Sequence, residues 1–362
     1  MITPSFKILR SDAPDYPLAE REILAQAKAV AATPIRVVVF TNVKDNDEYL
    51  VQRERISALC DEIFGSRKPM LALVAQPPLE GRLLAEVTYI EPECRAEYYD
   101  DYIVVEHDQL FTRGLYSSLE ESIEQQSDDI FLRLGQILHH EGFAIDDIVR
   151  QWNYIEHITH ISAQGQNYQQ FNDSRSHFYG RVEWRNGYPA ATGIGASHGG
   201  VVVVVDATRQ SGQHSRAIDN PLQLSAHSYS QQVLIEGRAQ RKTTPKFERA
   251  RWVEDRSSGM IYVSGTAAIR GEESIGEDAV QQGVMTIENI AHLISTENQL
   301  RHAVPTPGER SHEIMRIYVK NRSDWQSVKA WLEQNCTCQQ IIPVEADICR
   351  EELLLEIETI AK

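Results

Sequence analysis

The chain has 362 residues, a formal charge of −16, 42% hydrophobic and 24% charged residues. That is the composition of an ordinary globular protein, and the length suggests about two or three domains that need no disulfides or metals to build a core. The acidic balance, without a basic stripe, argues against nucleic acid, and no apolar run approaches the roughly 20 residues that cross a bilayer, so no membrane partner is expected.

In chain order, residues 36–40 (Arg36-Val37-Val38-Val39-Phe40) predict a buried strand. Residues 46–64 predict a helix, and 70–75 a strand closed by Pro77-Pro78. This opening stretch has α/β character. The chain then repeats itself. Residues 108–114 predict a strand ending in Gly114, and 259–265 predict its twin, ending in Gly265. Each precedes an acidic stretch and an amphipathic helix. The first helix, 130–140, puts Ile130, Leu134, Ile137 and Leu138 on one face; the second, 284–294, does the same with Ile287, Ile290, Ala291 and Ile294. Strands at 148–155 and 314–319 come next, then helices opening at Tyr168 and Trp325. Each copy closes with two strands, 189–195 with 201–207 and 343–349 with 353–360. The offset of about 150–165 residues is of single-domain size. The pattern predicts an α/β (α+β) protein: a tandem pair of β-β-α-β-α-β-β units, helices over one face of each sheet. The expected domains are 1–210, an N-terminal extension plus a first unit at about 90–210, and 211–362, the second unit.

Several short motifs have unexceptional readings. Gly195-Ala196-Ser197-His198-Gly199 has the spacing of a nucleophile elbow, but a run of valines follows where a helix is needed. A Gly-rich hairpin between two core strands fits better. His157 and His160 lie where a strand ends, so their spacing sends them to opposite faces. Cys336 and Cys338 are too close for an ordinary zinc half-site. The five cysteines form no recognisable disulfide framework, and Met1 to Lys7 lack a signal-peptide pattern. A reducing, cytoplasmic setting is expected, with no metal.

The C-terminal copy, through 315–320, 344–349 and 355–358, resembles the Rid (YjgF) family, whose chorismate-mutase-like units place active sites between subunits. A covalent tandem would make that cleft internal. Rid deaminases hold a substrate carboxylate with an Arg just before the penultimate strand. Neither copy has one there, which argues against an imine deaminase. A longer series of motifs is more specific: 148–155, 167–175, Tyr188 to Gly195, Asn220 to Ala226 leading to Tyr229, Lys246 to Ala250, Val263 to Ser274, and Cys349 to Glu358. In this order, over about residues 100–362, they resemble the chorismatase family, relatives of the Rid fold. Glu272 departs from that pattern, where a His is expected, as does His227-Ser228, where a more basic stretch is expected. Both departures bear on the ring product.

The resemblance implies removal of the enolpyruvyl group of chorismate, giving pyruvate plus a hydroxybenzoate or dihydroxycyclohexadienoate, for secondary metabolism. It implies no cofactor, chorismate as the small-molecule partner, and a monomer or weak oligomer. Protonating the enol-ether methylene carbon needs an acid that stays neutral at pH 7, and burial can raise a carboxyl that far. Glu356 matches the family's catalytic Glu, and Cys349 a Cys linked to hydroxybenzoate formation. Arg249 and Arg175 match the positions that fork substrate carboxylates. Tyr168 and Tyr229 would donate hydrogen bonds, and Gly193, Thr266 and Ala267 would line the ring pocket. Read from the residues alone, Glu356 and Glu358 alternate with Leu355 and Ile357 as on a solvated strand face. The alternatives are a Rid-type imine deaminase and a non-catalytic small-molecule-binding protein on the same scaffold.

Overall fold

The structure is a computed structural model, and it describes residues 1–228, 243–306 and 308–362. Three large sheets, of four, six and six strands, are arranged about a common core. The N-terminal segment runs β1 (Ser5–Ser11), α1 (Tyr16–Ala29), β2 (Thr33–Phe40), α2 (Asn46–Phe64), β3 (Met70–Val74) and β4 (Leu83–Ile90). The first tandem copy follows: β5 (Ala96–Tyr98), β6 (Tyr102–Val105), β7 (Gln109–Thr112), α3 (Ile123–Glu141), β8 (Ile148–Glu156), α4 (Asn167–Tyr179), β9 (Ala190–Ala196) and β10 (Val201–Thr208). The second is β11 (Ser215–Ile218), β12 (Ala250–Val253), β13 (Met260–Ala267), α5 (Ala279–Ile294), β14 (His312–Val319), α6 (Trp325–Asn335), β15 (Ile341–Glu345) and β16 (Leu355–Ala361).

The tandem pair is present, and its strand order is the same in both copies: β5-β6-β7-β10-β8-β9 and β11-β12-β13-β16-β14-β15. Each copy opens with three strands rather than the expected two, because a short edge strand precedes the hairpin. The N-terminal extension repeats the same order a third time in truncated form, as β1-β4-β2-β3. Its last two strand pairings match the others in direction: β2–β3, β8–β9 and β14–β15 are all parallel, and β2–β4, β8–β10 and β14–β16 are all antiparallel. The expected Gly-rich hairpin is not a hairpin. β9 and β10 both pair with β8, one on each side, so the turn at Gly199 and Gly200 crosses the end of β8. Gly199 and Gly200 have φ of 97° and 64°, which side chains with a Cβ rarely adopt.

Helix starts follow from capping. Asp45 caps α2 through the Glu48 N–H, Ser122 and Gln125 form a capping box on α3, and Asp278 caps α5. The valine run of β10 is buried on both faces. Val201, Val203 and Val205 pack under α3 and α4, while Val202 and Val204 face the common core.

That core holds three buried ion pairs, each joining one copy to the next. Arg36 of β2 pairs with Asp206 of β10. Arg150 of β8 reaches Glu358 of β16 at 2.7 Å, and Arg316 of β14 reaches Glu86 of β4 at 2.7 Å. The ring closes on itself. Trp152 sits inside it, with the Arg36, Arg150 and Arg316 guanidiniums 4.9, 4.5 and 5.1 Å from its ring centre. Removing one member strands the other charge away from water. Arg36→Ala should therefore cost about 3–5 kcal/mol of stability, because Asp206 stays buried without its cation. Urea unfolding of variant and parent checks this; a loss under about 1 kcal/mol, the range of an exposed pair, would show that the ring does not hold the copies together.

Candidate active site

Strand alternation sets up the site. Glu356 and Glu358 are two residues apart on β16, so both leave the same face of the sheet, and both are buried. Glu358 Oε1 accepts from Trp152 Nε1 at 2.9 Å and from Arg316 Nη1 at 2.5 Å. Its Oε2 accepts from Arg150 and from the Thr192 hydroxyl. Burial alone would raise this carboxyl; Arg316, Arg150 and those hydrogen bonds outweigh it and hold Glu358 below the ordinary range. For Glu356 the balance goes the other way. Burial, then the charge of Glu358, push it up to about 8, against Arg249 and Arg150. At pH 7 it is a neutral acid.

The Glu356 carboxyl faces a cleft between the two tandem copies. One wall is β9 and the start of α4; the other is the end of β13 and β16. The space within and above the cleft is about 780 Å³, open solvent included. Two glycines make room for it. A Cβ on Gly193 would come within 2.8 Å of the Tyr168 ring. A Cβ on Gly265 would overlap the Glu356 carboxyl and come within 2.9 Å of Thr192. Gly265 lies where the β13–β16 register shifts between Val263 and Thr266, a bulge that re-aims the strand end.

Tyr168 stands in the first turn of α4, whose start is fixed by Asn167 Nδ2 donating to the Glu156 carbonyl at 2.9 Å. Burial first, then nearby Cys349, keep the Tyr168 phenol protonated well above its ordinary range, so it serves as a donor. Cys349, in the loop before β16, is pushed up to about 12 by burial and then by Glu356; it is a thiol, not a thiolate nucleophile, at neutral pH. Arg249 is buried just before β12, beside the Phe247 ring, and donates to the Leu224 carbonyl at 2.6 Å. Ala267 pairs directly opposite Glu356. A neutral acid, a guanidinium and a phenol thus converge on one apolar-walled space.

Glu356, Cys349, Tyr168, Gly193, Arg249 and Ala267 all line the cleft. Thr266 and Arg175 do not. Thr266 is the odd residue between Gly265 and Ala267, and its hydroxyl donates to the Ser264 carbonyl at 2.9 Å. Arg175 lies behind the wall, its Nη2 donating to Asn172 Oδ1 at 2.6 Å. Tyr229 falls outside the described residues. Sequence reasoning did not single out Gln169, Asn172, Phe247, Ile269, Arg350 or Leu353, which also line the cleft. Asn172 was accessible to it: i+4 from Tyr168 on a helix is the same face. Arg350 donates to the Glu272 carbonyl at 2.8 Å, bringing the acidic loop to the cleft rim. Among the described residues no group of His, Cys, Asp or Glu is arranged to hold a metal. Ser197 donates to the Ala75 carbonyl at 3.0 Å, from the turn between β9 and β10.

The raised Glu356 carboxyl has a consequence for stability. Folded Glu356 keeps its proton to about pH 8, whereas unfolded Glu loses it near about pH 4.3. In that window the folded state binds the extra proton, so stability falls as pH rises. Glu356→Gln removes the effect. Its stability relative to the parent should improve between pH 5 and pH 8 by on the order of 2–4 kcal/mol. Denaturant unfolding of both proteins at the two pH values measures this; a gap independent of pH would mean that Glu356 is already ionised at pH 5.

Comparison with known proteins bears on the chain as a whole. Residues 89–207 match the family model for the N-terminal part of FkbO/Hyg5-like chorismatases. A 3-hydroxybenzoate synthase of Streptomyces hygroscopicus is 32% identical over 228 residues, covering 60% of this chain and 64% of that protein. A chorismatase of the same organism is 30% identical over 239 residues, covering 63% and 65%. The chain thus spans a little under two thirds of the length of these curated relatives. A chorismatase crystal structure superposes with a TM-score of 0.76 at 22% identity, covering 100% of this chain and 99% of that one. In sequence over residues 89–207 the chain is similar to the N-terminal part of the FkbO/Hyg5-like chorismatases, and in fold from end to end it is similar to a solved chorismatase.

Proposed function

We propose that the chain is a chorismatase that removes the enolpyruvyl group of chorismate and releases pyruvate, with a hydroxybenzoate or dihydroxycyclohexadienoate as the ring product. The observation that carries this reading is Glu356, a buried carboxyl neutral at pH 7, facing the cleft with Arg249 and Tyr168. Glu356 gives its proton to the methylene carbon of the enol ether. The positive charge that develops on the ether carbon is shared with the ether oxygen. Water adds there, and the hemiketal collapses to pyruvate and the ring alcohol. The ionised Glu356 is stabilised by Arg249 and Arg150 and recovers its proton as water is deprotonated. Arg249 holds a substrate carboxylate and Tyr168 donates to a carboxylate or the ring hydroxyl. The neutral Cys349 thiol sits beside the acid, where it can bias the fate of the ring.

In this reading residues 1–210 and 211–362 are the two working units, and the cleft between them is complete within one chain. A monomer suffices, though a weak oligomer is compatible. The proposed setting is the cytoplasm, where the five free cysteines stay reduced.

Purified protein mixed with chorismate should release stoichiometric pyruvate, with an unchanged rate in a chelator. Release no faster than the spontaneous reaction, from folded protein, would overturn the proposal; ammonia from an imine substrate would instead identify a deaminase. Turnover should fall as pH rises past about 8, because the acid must be protonated. Glu356→Gln should reduce turnover about 10²–10⁴-fold while chorismate still binds. Arg249→Ala should chiefly raise KM, since a bound carboxylate would lose its fork. Near-parental turnover in Glu356→Gln would remove Glu356 from the chemistry.

A further inference from the structure

Glu358 does not line the cleft, yet it stands two residues beyond the acid on the same strand face. Four donors from other strands lock it: Arg150, Trp152, Thr192 and Arg316. Thr192 is the joint. Its hydroxyl donates to Glu358 and accepts from Arg150 at 2.7 Å and from the Gly265 N–H at 3.0 Å. Gly265 is the residue whose missing side chain makes room for the Glu356 carboxyl. A charge locked on one side of Thr192 is therefore coupled rigidly to the position of the acid on the other.

We infer that Glu358 is a positioning residue that keeps Glu356 in its acid form: a carboxylate clamped by donors from the first copy and from its own neighbouring strand, set beside the group that must hold a proton. This deepens the proposed function and rests on it for its catalytic meaning. Other charged or titratable groups face Glu356 from every side. They are Arg249 before β12, Arg150 from β8, Tyr318 opposite it on β14, Tyr168 on α4, and Cys349 and Arg350 in the preceding loop. Arg249 and Arg150 favour the ionised acid; Glu358 opposes them. Two carboxylates sharing a site cannot easily both ionise, and here the arginine ring decides which one does.

The test reads the proton on Glu356 without substrate, through the pH dependence of the stability gap between each protein and its own Glu356→Gln derivative. Glu358→Gln should lower the midpoint of that dependence by about one pH unit or more. Glu358→Asp, which keeps the charge, should leave it near the parental value. Glu358→Gln leaves Arg150 short of a partner, so the same comparison is made in an Arg150→Met background. There Arg316 keeps Glu86, and the Glu358→Gln change should again lower the midpoint. A purely structural Glu358 would change overall stability but not the midpoint, and an unchanged midpoint in either background overturns the inference. With chorismate, the alkaline limb of turnover should move in the same direction while KM changes less than about threefold. A parent that shows the midpoint but does not turn over chorismate would refute the proposed function and leave this inference standing.

Discussion

Three ion pairs buried around one tryptophan organise this molecule. Arg36–Asp206, Arg150–Glu358 and Arg316–Glu86 each run from the third-last strand of one copy to the last strand of the next. Burying such pairs costs desolvation that their attraction roughly offsets, so they add little net stability. What they do is penalise every other arrangement. A register slip of one residue in β4, β10 or β16 would turn a carboxylate to the helix side and strand an arginine. The ring fixes how three similar sheets meet, and the position of the cleft follows.

The three sheets are equivalent, but their clefts are not. By strand register Glu356 opposite Tyr318 corresponds to Val202 opposite Tyr154 and to Leu84 opposite Phe40. Thr192 opposite Trp152 corresponds likewise to Ala72 opposite Val38 and to Ile342 opposite Arg316. A Cβ on Gly114 would meet Ala72 and Val202 at 3.0 Å, just as one on Gly265 would meet Thr192 and Glu356. Two of the three seams are thus closed with apolar side chains. Only the third combines an acid with a hydroxyl that ties it to the charge ring. One chain carries three related seams and one candidate active site because polar residues were placed at a single set of equivalent positions.

Much of this was legible in the sequence because period-2 alternation and paired turn glycines survive duplication. Gly114 and Gly265 revealed the tandem copies, and they occupy equivalent places. The third, N-terminal copy was not legible. It lacks the first two of the three opening strands, and its helix α2 opens on Asn46-Asp47-Glu48 rather than on an aromatic. Alternation also predicted that Glu356 and Glu358 share a face, but suggested a solvated one. No local pattern discloses that this face meets two other sheets. Thr266 was assigned to the pocket by motif, whereas alternation sends the side chains of its neighbours there. Thr192, Trp152 and Arg316 escaped notice as site determinants because their partners lie 166, 206 and 42 residues away. Charge pairing over such distances leaves no trace in a short window.

The proposed chemistry depends on one proton. A carbon-13 NMR titration of the glutamate side-chain carboxyls, with Glu356→Gln identifying the resonance, observes it directly. A Glu356 signal that is neutral at pH 7 and titrates near about 8 is the expected result. A signal already ionised at pH 7, titrating near the ordinary glutamate value of about 4.3, would contradict it.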